Sequence, residues 1–277
     1  MFIKKAQNEC SGISFLHKKI ENVPENMNTN HCHDRYEIIY VQEGQGKYIV
    51  EGVEYPVKPR TLMVFPPLVY HCVAVEAGCS YERFVLYFEK NMVLDAVGES
   101  FFEINDSANP SGSFYSAGSI SDSVVAIFDR FESASCLYEP ERTVYSKLLL
   151  AELLLLLSVA KREDFRADEI ELGARVIRYL NENTERDIPL DVLAKKFFVS
   201  KYYLCRAFKK HNGISVHGYI QQKRVMYAKQ LIESGETASG AAYRVGFGDY
   251  SAFYRAYVKV LGVAPTAGEN KFRKEIL

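Results

Sequence analysis

Two groups of residues in this chain have the types and spacing to do chemistry. The first is His31-x-His33-x-x-x-Glu37, followed at a distance by His71. Residues 31, 33 and 37 are all odd-numbered, so on one extended strand they share a face. Three imidazoles and a carboxylate suit zinc, iron, nickel or manganese, and with an open coordination position they would support metal-dependent catalysis. The same groups can instead form the hydrogen-bonding wall of a polar pocket, to which Tyr40, Tyr48, Arg83 and Tyr87 would add further polar tips. The second group lies near the C-terminus on two short helical patterns. Ser200, Lys201, Tyr202, Cys205, Arg206, Lys209 and Lys210 belong to one; Tyr250, Ser251, Tyr254, Arg255 and Lys259 to the other. Arginine can bond a guanine edge through two nitrogens, whereas lysines on the same face meet phosphates, which position a protein without specifying sequence.

The elements that must hold the second group can be read from periodicity. Over 190–197, Leu190, Leu193, Ala194 and Phe197 recur at helical spacing, with Lys195 and Lys196 outside. Ser200 then caps a second helix over 201–210, with Leu204 and Phe208 inward at i, i+4, and Gly213 stops it. The same two-helix pattern returns after Thr237. Ala238, Ala241, Ala242 and Val245 form one face, Gly246 and Phe247 the turn, and Asp249 caps a helix over 250–260 that buries Phe253 and Tyr257 before Gly262 ends it. Between the units runs a helix over 215–233, about 28 Å long at 1.5 Å per residue. Two outward-facing helices at that separation can enter successive major-groove segments on one face of a duplex, which repeat about every 34 Å. An earlier helix is expected over 173–183, with Val176, Ile177 and Leu180 inside.

Charge divides the chain in the same way. From residue 172 onward there are 18 Lys and Arg against 9 Asp and Glu, and before it 16 against 26, so a net charge of −1 conceals a basic part and an acidic part. Only the former is suited to a polyanion. At 277 residues, 48% hydrophobic and 25% charged, the chain has the size of about two domains and an ordinary globular composition. Six cysteines without a C-x-x-C pair imply neither a disulfide framework nor a zinc knuckle, and fit a reducing cytoplasm. No signal peptide is expected at the start. The longest apolar run, 148–160, contains Glu152 and is too short to span a bilayer, so no membrane partner is expected.

The first thirty residues read as an arm with one or two short strands. Segments 36–41, 46–50, 61–65, 69–75 and 83–88 are β-branched and aromatic, punctuated by Gly and Pro, which predicts an all-β sandwich or barrel. From residue 120 to 161 the pattern becomes helical: Val124, Val125, Ile127, Phe128 and Phe131 mark a first helix, and a second runs over about 141–161. In the latter, Val144, Leu148, Ala151, Leu155 and Ser158 form one stripe, and Leu149, Leu150, Leu153, Leu154, Leu156 and Leu157 make the helix apolar nearly all round. Such a helix is expected to be buried on more than one side, against the barrel and a partner subunit. Residues 161–171, eight of them charged, form the candidate linker.

These residues carry a resemblance. Leu190-x-x-Leu193-Ala194, Val199-Ser200-x-x-Tyr203-Leu204-x-Arg206-x-Phe208-Lys209 and Gly213-Ile214-Ser215 are followed by Arg224-x-x-x-Ala228-x-x-Leu231. Then comes Ala242-x-x-Val245-Gly246-Phe247-x-Asp249-x-Ser251-x-Phe253-x-Arg255-x-Tyr257-x-Lys259-x-x-Gly262-x-x-Pro265. The series resembles the DNA-binding domain of AraC/XylS-type transcription regulators. The His31, His33, Glu37 and Gly44 spacing resembles the first cupin motif, and His71 the lone histidine of the second. The resemblance implies an α+β chain: a cupin-like β-barrel with a helical dimerisation element over 1–164, a linker at 165–171, and an all-α domain with two helix-turn-helix units over 172–277. It implies a cytoplasmic, non-enzymatic homodimer that binds an operator in double-stranded DNA. The barrel residues His31, His33, Glu37, Tyr40, Tyr48, His71 and Arg83 would hold a small effector, a saccharide by analogy with relatives, and no cofactor. RNA polymerase would be a partner if the outcome is activation. A metal at His31, His33, Glu37 and His71, serving an enzyme or a metal-responsive regulator, is the alternative. The sequence departs from the family at Arg60, where Gly is usual; at Ala238 and Gly240; and at Gly268 and Glu269, in place of a closing Tyr-Arg. Unit one is therefore expected to read bases and unit two mainly to grip the backbone.

Overall fold

The computed structural model describes residues 2–10, 12–25, 31–51, 53–99, 101–102, 112–163, 172–181, 183 and 188–265. The expected linker at 165–171, the Asn-rich stretch 26–30, and Gly268 and Glu269 lie outside the described residues. The bulk of the chain before residue 166 forms one compact unit and the bulk after it a second.

The first unit contains β1 (Phe2–Cys10), β2 (Ile13–Ile20), β3 (Tyr36–Glu43), β4 (Gly46–Val50), β5 (Val53–Val57), β6 (Leu62–Phe65), β7 (His71–Val75), β8 (Tyr81–Phe88) and β9 (Ser113–Tyr115). One sheet has the order β1-β2-β8-β3-β6-β9 and the other β5-β4-β7. The expected barrel is thus two facing sheets: among the described residues no strand pairing joins them. Strand β5 escapes a sequence reading because Pro56 looks like punctuation. It is the edge strand of its sheet, where a missing N–H costs little.

The centre of this unit is the pair β3 and β8, antiparallel with Ile38 opposite Leu86, Glu37 opposite Tyr87 and Tyr40 opposite Phe84. Side chains alternate across a strand. Even-numbered Tyr36, Ile38, Tyr40, Phe84, Leu86 and Phe88 therefore join one core, and odd-numbered Ile39, Val41, Tyr81 and Val85 another, between the sheets. The first core is closed by α2 (Asp122–Ala134) and α3 (Glu141–Val159). Phe131 stacks on Phe15 at 5.5 Å between ring centres and Phe128 on Tyr40 at 5.0 Å. His17, on β2, lies between Glu82 at 2.8 Å and Glu132 of α2 at 2.9 Å. Arg60 stands where glycine is usual and takes the left-handed backbone a glycine would, φ 64°. Its guanidinium donates to the Ile120 carbonyl and to Asp122, tying the turn to the start of α2. That tie offsets part of the strain.

The second unit is helical: α4 (Leu172–Asn181), α5 (Leu190–Lys196), α6 (Lys201–Asn212), α7 (Val216–Glu233), α8 (Ala238–Arg244) and α9 (Tyr250–Leu261), taking α1 as the short Leu94–Val97 helix. Val176, Ile177 and Leu180 of α4 are buried, as their spacing predicts. Val225, Ala228 and Leu231 of α7 pack with Ala241, Ala242, Val245, Phe253, Ala256 and Tyr257. Gly240, expected in mid-helix, lies in the first turn, where its N–H donates to the Thr237 hydroxyl.

Burial pushes the hydroxyls of Tyr40, Tyr48, Tyr81, Tyr87, Tyr115 and Tyr257 above the ordinary tyrosine range. The folded state thus favours their neutral form, whereas unfolded tyrosines ionise near pH 10. This contribution to stability is complete below about pH 10 and is lost as pH rises beyond it. In an alkaline titration followed by tyrosine absorbance and circular dichroism, these six of the 19 tyrosines are expected to ionise only as the fold is lost. Reversible ionisation of all of them in one step, with the dichroism unchanged, would contradict the burial of these six side chains.

Candidate functional site

Between the sheets, the odd-numbered positions of β3 and β8 and the facing positions of β4 and β7 place polar groups in an apolar core. Glu37 and His71 are each 1% exposed, and His71 Nε2 is 2.8 Å from a Glu37 carboxylate oxygen. The other ring nitrogen of His71 meets the Val69 carbonyl at 3.0 Å, and the ring stacks on Phe65 at 4.2 Å, so its orientation is fixed on three sides. The Tyr48 and Tyr81 hydroxyls are 2.6 Å apart, with the Arg83 guanidinium 4.8 Å over the Tyr81 ring. Burial, then Glu37, pushes the Tyr87 hydroxyl up; burial, then Tyr81, does so for Tyr48. Both stay neutral donors at physiological pH. His31, His33, Glu37 and His71 bring one ligand atom each to within 4.8 Å of one another. Around a tetrahedral ion with bonds of about 2.1 Å the ligand atoms lie about 3.4 Å apart, so the four would have to rearrange to hold a metal.

Tyr40 does not join this group. It is even-numbered on β3, its side chain faces α2, and it stacks on Phe128. Tyr81, by contrast, belongs to the cluster and was not singled out from the sequence. The register of β8 against β3 would have found it, since Tyr81, Arg83, Val85 and Tyr87 must share a face.

In the helical unit, the side chain of Ser200 accepts from the Tyr203 N–H and that of Asp249 from the Ala252 N–H. Each such cap contributes about 1 kcal/mol and fixes where its helix begins. The left-handed Gly213 and Gly262 fix where the two helices end. On α6, Leu204 and Phe208 are fully buried, which turns Lys201, Tyr202, Arg206, Lys209 and Lys210 outward, with Cys205 half-buried. Tyr203 is also exposed. On α9, buried Phe253 and Tyr257 turn Tyr250, Ser251, Tyr254, Arg255 and Lys259 outward. Every one of these side chains except Cys205 is thus exposed, and Lys201 is paired with Asp191 at 2.6 Å. The linking helix α7 has 18 residues, about 27 Å of rise.

The turns inside the two units are built alike. After α8, Phe247 N–H donates to the Ala242 carbonyl and Gly246 N–H to that of Tyr243, with Gly246 left-handed at φ 86°. Arg224, from α7, donates to the Gly246 carbonyl and lies where a Cβ at 246 would press on it at 3.2 Å. After α5, Val199 N–H donates to the Ala194 carbonyl and Phe198 N–H to that of Lys195, with Phe198 left-handed at φ 56°. This is the same helix stop with phenylalanine where glycine is the unstrained choice, at a cost of about 1 to 2 kcal/mol. The Phe198 side chain is 95% exposed.

Two family models match the chain. The AraC-like ligand binding domain matches residues 22–157 and a helix-turn-helix domain residues 193–270. YbfI of Bacillus subtilis (strain 168), an uncharacterised HTH-type transcriptional regulator, is 27% identical over 80% of this chain and 80% of its own length. RhaS of Citrobacter koseri, an HTH-type transcriptional activator, is 22% identical over 83% of this chain and 84% of its own. ToxT of Vibrio cholerae strain SCE256, solved with an unsaturated fatty acid bound, aligns over 94% of this chain and 96% of that one, at 14% identity and a TM-score of 0.44. The ligand-binding match falls on the facing sheets and the helix-turn-helix match on the capped helices α6 and α9. The chain accordingly belongs to the AraC-type family of DNA-binding transcription regulators that carry a ligand-binding domain.

Proposed function

We propose that the chain is a cytoplasmic, effector-responsive regulator whose helix α6 reads bases of an operator and whose helix α9 mainly grips the backbone. The observation that carries this reading is the outward face of α6: a guanidinium, two tyrosines and three ammonium groups on a helix anchored from the opposite side by buried Leu204 and Phe208. Arg206 has the reach and fork to bond a guanine; Lys201, Lys209 and Lys210 supply phosphate contacts. Replacing Arg206 by Ala is expected to weaken specific binding by roughly 1 to 3 kcal/mol and relax preference at one base pair. An equal loss on random duplex would make it a phosphate contact instead.

The effector site in this reading is the polar group between the sheets: Glu37, Tyr48, His71, Tyr81, Arg83 and Tyr87. Neutral hydroxyls, a carboxylate, an imidazole and a guanidinium set in apolar walls match the hydroxyls of a polyol, which supports a saccharide, and occupancy would shift the population of DNA-binding states. Binding only the folded chain, a saccharide would raise its melting temperature. The second reading, a divalent metal, is favoured by the convergence of His31, His33, Glu37 and His71. The two are told apart by thermal denaturation after exhaustive chelation. A saccharide-dependent shift that persists in the chelated protein and disappears in Tyr48→Phe with Arg83→Met supports the first. A shift produced by zinc or manganese alone, and lost in His71→Ala, supports the second and overturns the first.

We assign the homodimer seam to α3. Its inner residues Leu149, Leu150, Leu153, Leu154 and Leu157 are buried on the sheet, while Val144, Leu148, Leu155 and Val159 are 56%, 63%, 52% and 83% exposed. With half-buried Ala151, positions 144, 148, 151 and 155 alternate steps of four and three, the spacing of a two-helix seam. If the protein activates transcription, RNA polymerase is a further partner. Leu148→Glu with Leu155→Glu is expected to give a folded monomer in sedimentation equilibrium. A double variant that still sediments as a dimer would place the seam elsewhere.

A further inference from the structure

Among the described residues, three helices of the second unit end in the same motif, in which the second residue past the cap donates back five positions and the residue before it is left-handed. Glu236 donates to Leu231 with Gly235 at φ 101°, Phe247 to Ala242 with Gly246 at φ 86°, and Val199 to Ala194 with Phe198 at φ 56°. Two use glycine, the residue that takes this backbone without strain. The third uses an aromatic residue, and its ring is not repaid by packing, being 95% exposed. A strained residue whose side chain stabilises nothing inside the fold points to a role outside it.

The surroundings say what it meets. Phe198 lies two residues before Ser200, the cap of α6, and shares one open concavity with Lys195 and Lys201. Lys201 is paired with Asp191, which leaves the ammonium group of Lys195 in excess beside the ring. A basic rim about an exposed aromatic matches a polyanion with apolar edges: the deoxyribose faces and thymine methyl groups along a groove. We propose that Phe198 is a DNA-contacting side chain of the first helix-turn-helix. Its ring packs on the sugar edge, and on a thymine methyl where one is present, at the mouth of the groove that α6 enters. The proposal rests on the reading of α6 as the base-reading helix.

The test uses the full chain and a duplex selected from a random pool by the wild-type protein, with affinity measured by fluorescence anisotropy over a range of salt. Phe198→Gly is expected to melt higher than wild type and to bind roughly tenfold more weakly. The slope of log affinity against log salt should stay unchanged, because no charge is lost. Phe198→Asn, which keeps a left-handed turn without the ring, should weaken binding alike, and Phe198→Tyr should restore it. Arg206→Ala is the reference for α6. If it weakens binding while Phe198→Gly binds as wild type, the proposal for Phe198 is overturned and that for α6 stands. Should transcription with RNA polymerase then fall, the ring belongs to a protein contact instead. If Arg206→Ala leaves affinity intact, α6 does not read the duplex and both readings fall. A lower melting temperature for Phe198→Gly would show the ring supporting the fold, and would also overturn the proposal.

Discussion

The register of β3 against β8 is the constraint on which the first unit depends. Both strands are buried on both faces, so each side chain is committed to one of two cores by the parity of its number. Even positions form an aromatic platform of Tyr36, Tyr40, Phe84 and Phe88 that carries α2 and α3. Odd positions place Glu37 and Tyr87 directly opposite one another between the sheets. A slip of one residue would exchange the two sets, burying a carboxylate and a guanidinium beneath the helices. The same pairing therefore builds the helical cover and the polar interior.

The second unit depends on helix ends rather than on strand register. A recognition helix is useful only if its start is fixed to within a residue, since a shift by one turns each side chain by about 100°. Ser200 and Asp249 fix the starts, Gly213 and Gly262 the ends, and buried Leu204, Phe208, Phe253 and Tyr257 fix the rotation. Arg224 adds a long-range support, reaching from α7 to the turn at Gly246. These interactions are individually modest. Together they decide which side chains the duplex would meet.

Much of this was legible from the sequence because the signals are local. The caps, the stops, the inward residues of α4, α6 and α9, and five strands follow from spacing and from residue type. What was not legible depended on partners distant in the chain. Pro56 hides a strand that is permitted only because it is an edge. Tyr40 and Tyr81 are both tyrosines on predicted strands, and only the pairing of β3 with β8 separates them, the first to the helices and the second to the polar cluster. The stripe Val144, Leu148, Ala151 and Leu155 was as apolar as its opposite face. Which of the two meets the sheet follows from the docking of α3, not from its composition. The four ligand-type residues were legible as a set, because two of them flank a third on one short stretch and the fourth stands alone after a Pro-Pro turn.

Left-handed residues show how strain is distributed once the fold is formed. Asn22, at φ 58°, is of a type that tolerates this backbone. Arg60, at φ 64°, is held by two bonds from its guanidinium that join a turn to α2, so its strain is offset by a structural tie. Phe198, at φ 56°, has neither excuse: its type is unsuited and its ring lies in solvent. Glycine at the same point of the second unit shows that the turn itself does not ask for a side chain. The difference between the two units thus lies less in their recognition helices, which are capped and packed alike, than in the turn that precedes each. One turn presents a bare backbone supported by Arg224, the other an aromatic ring beside Lys195 and Lys201.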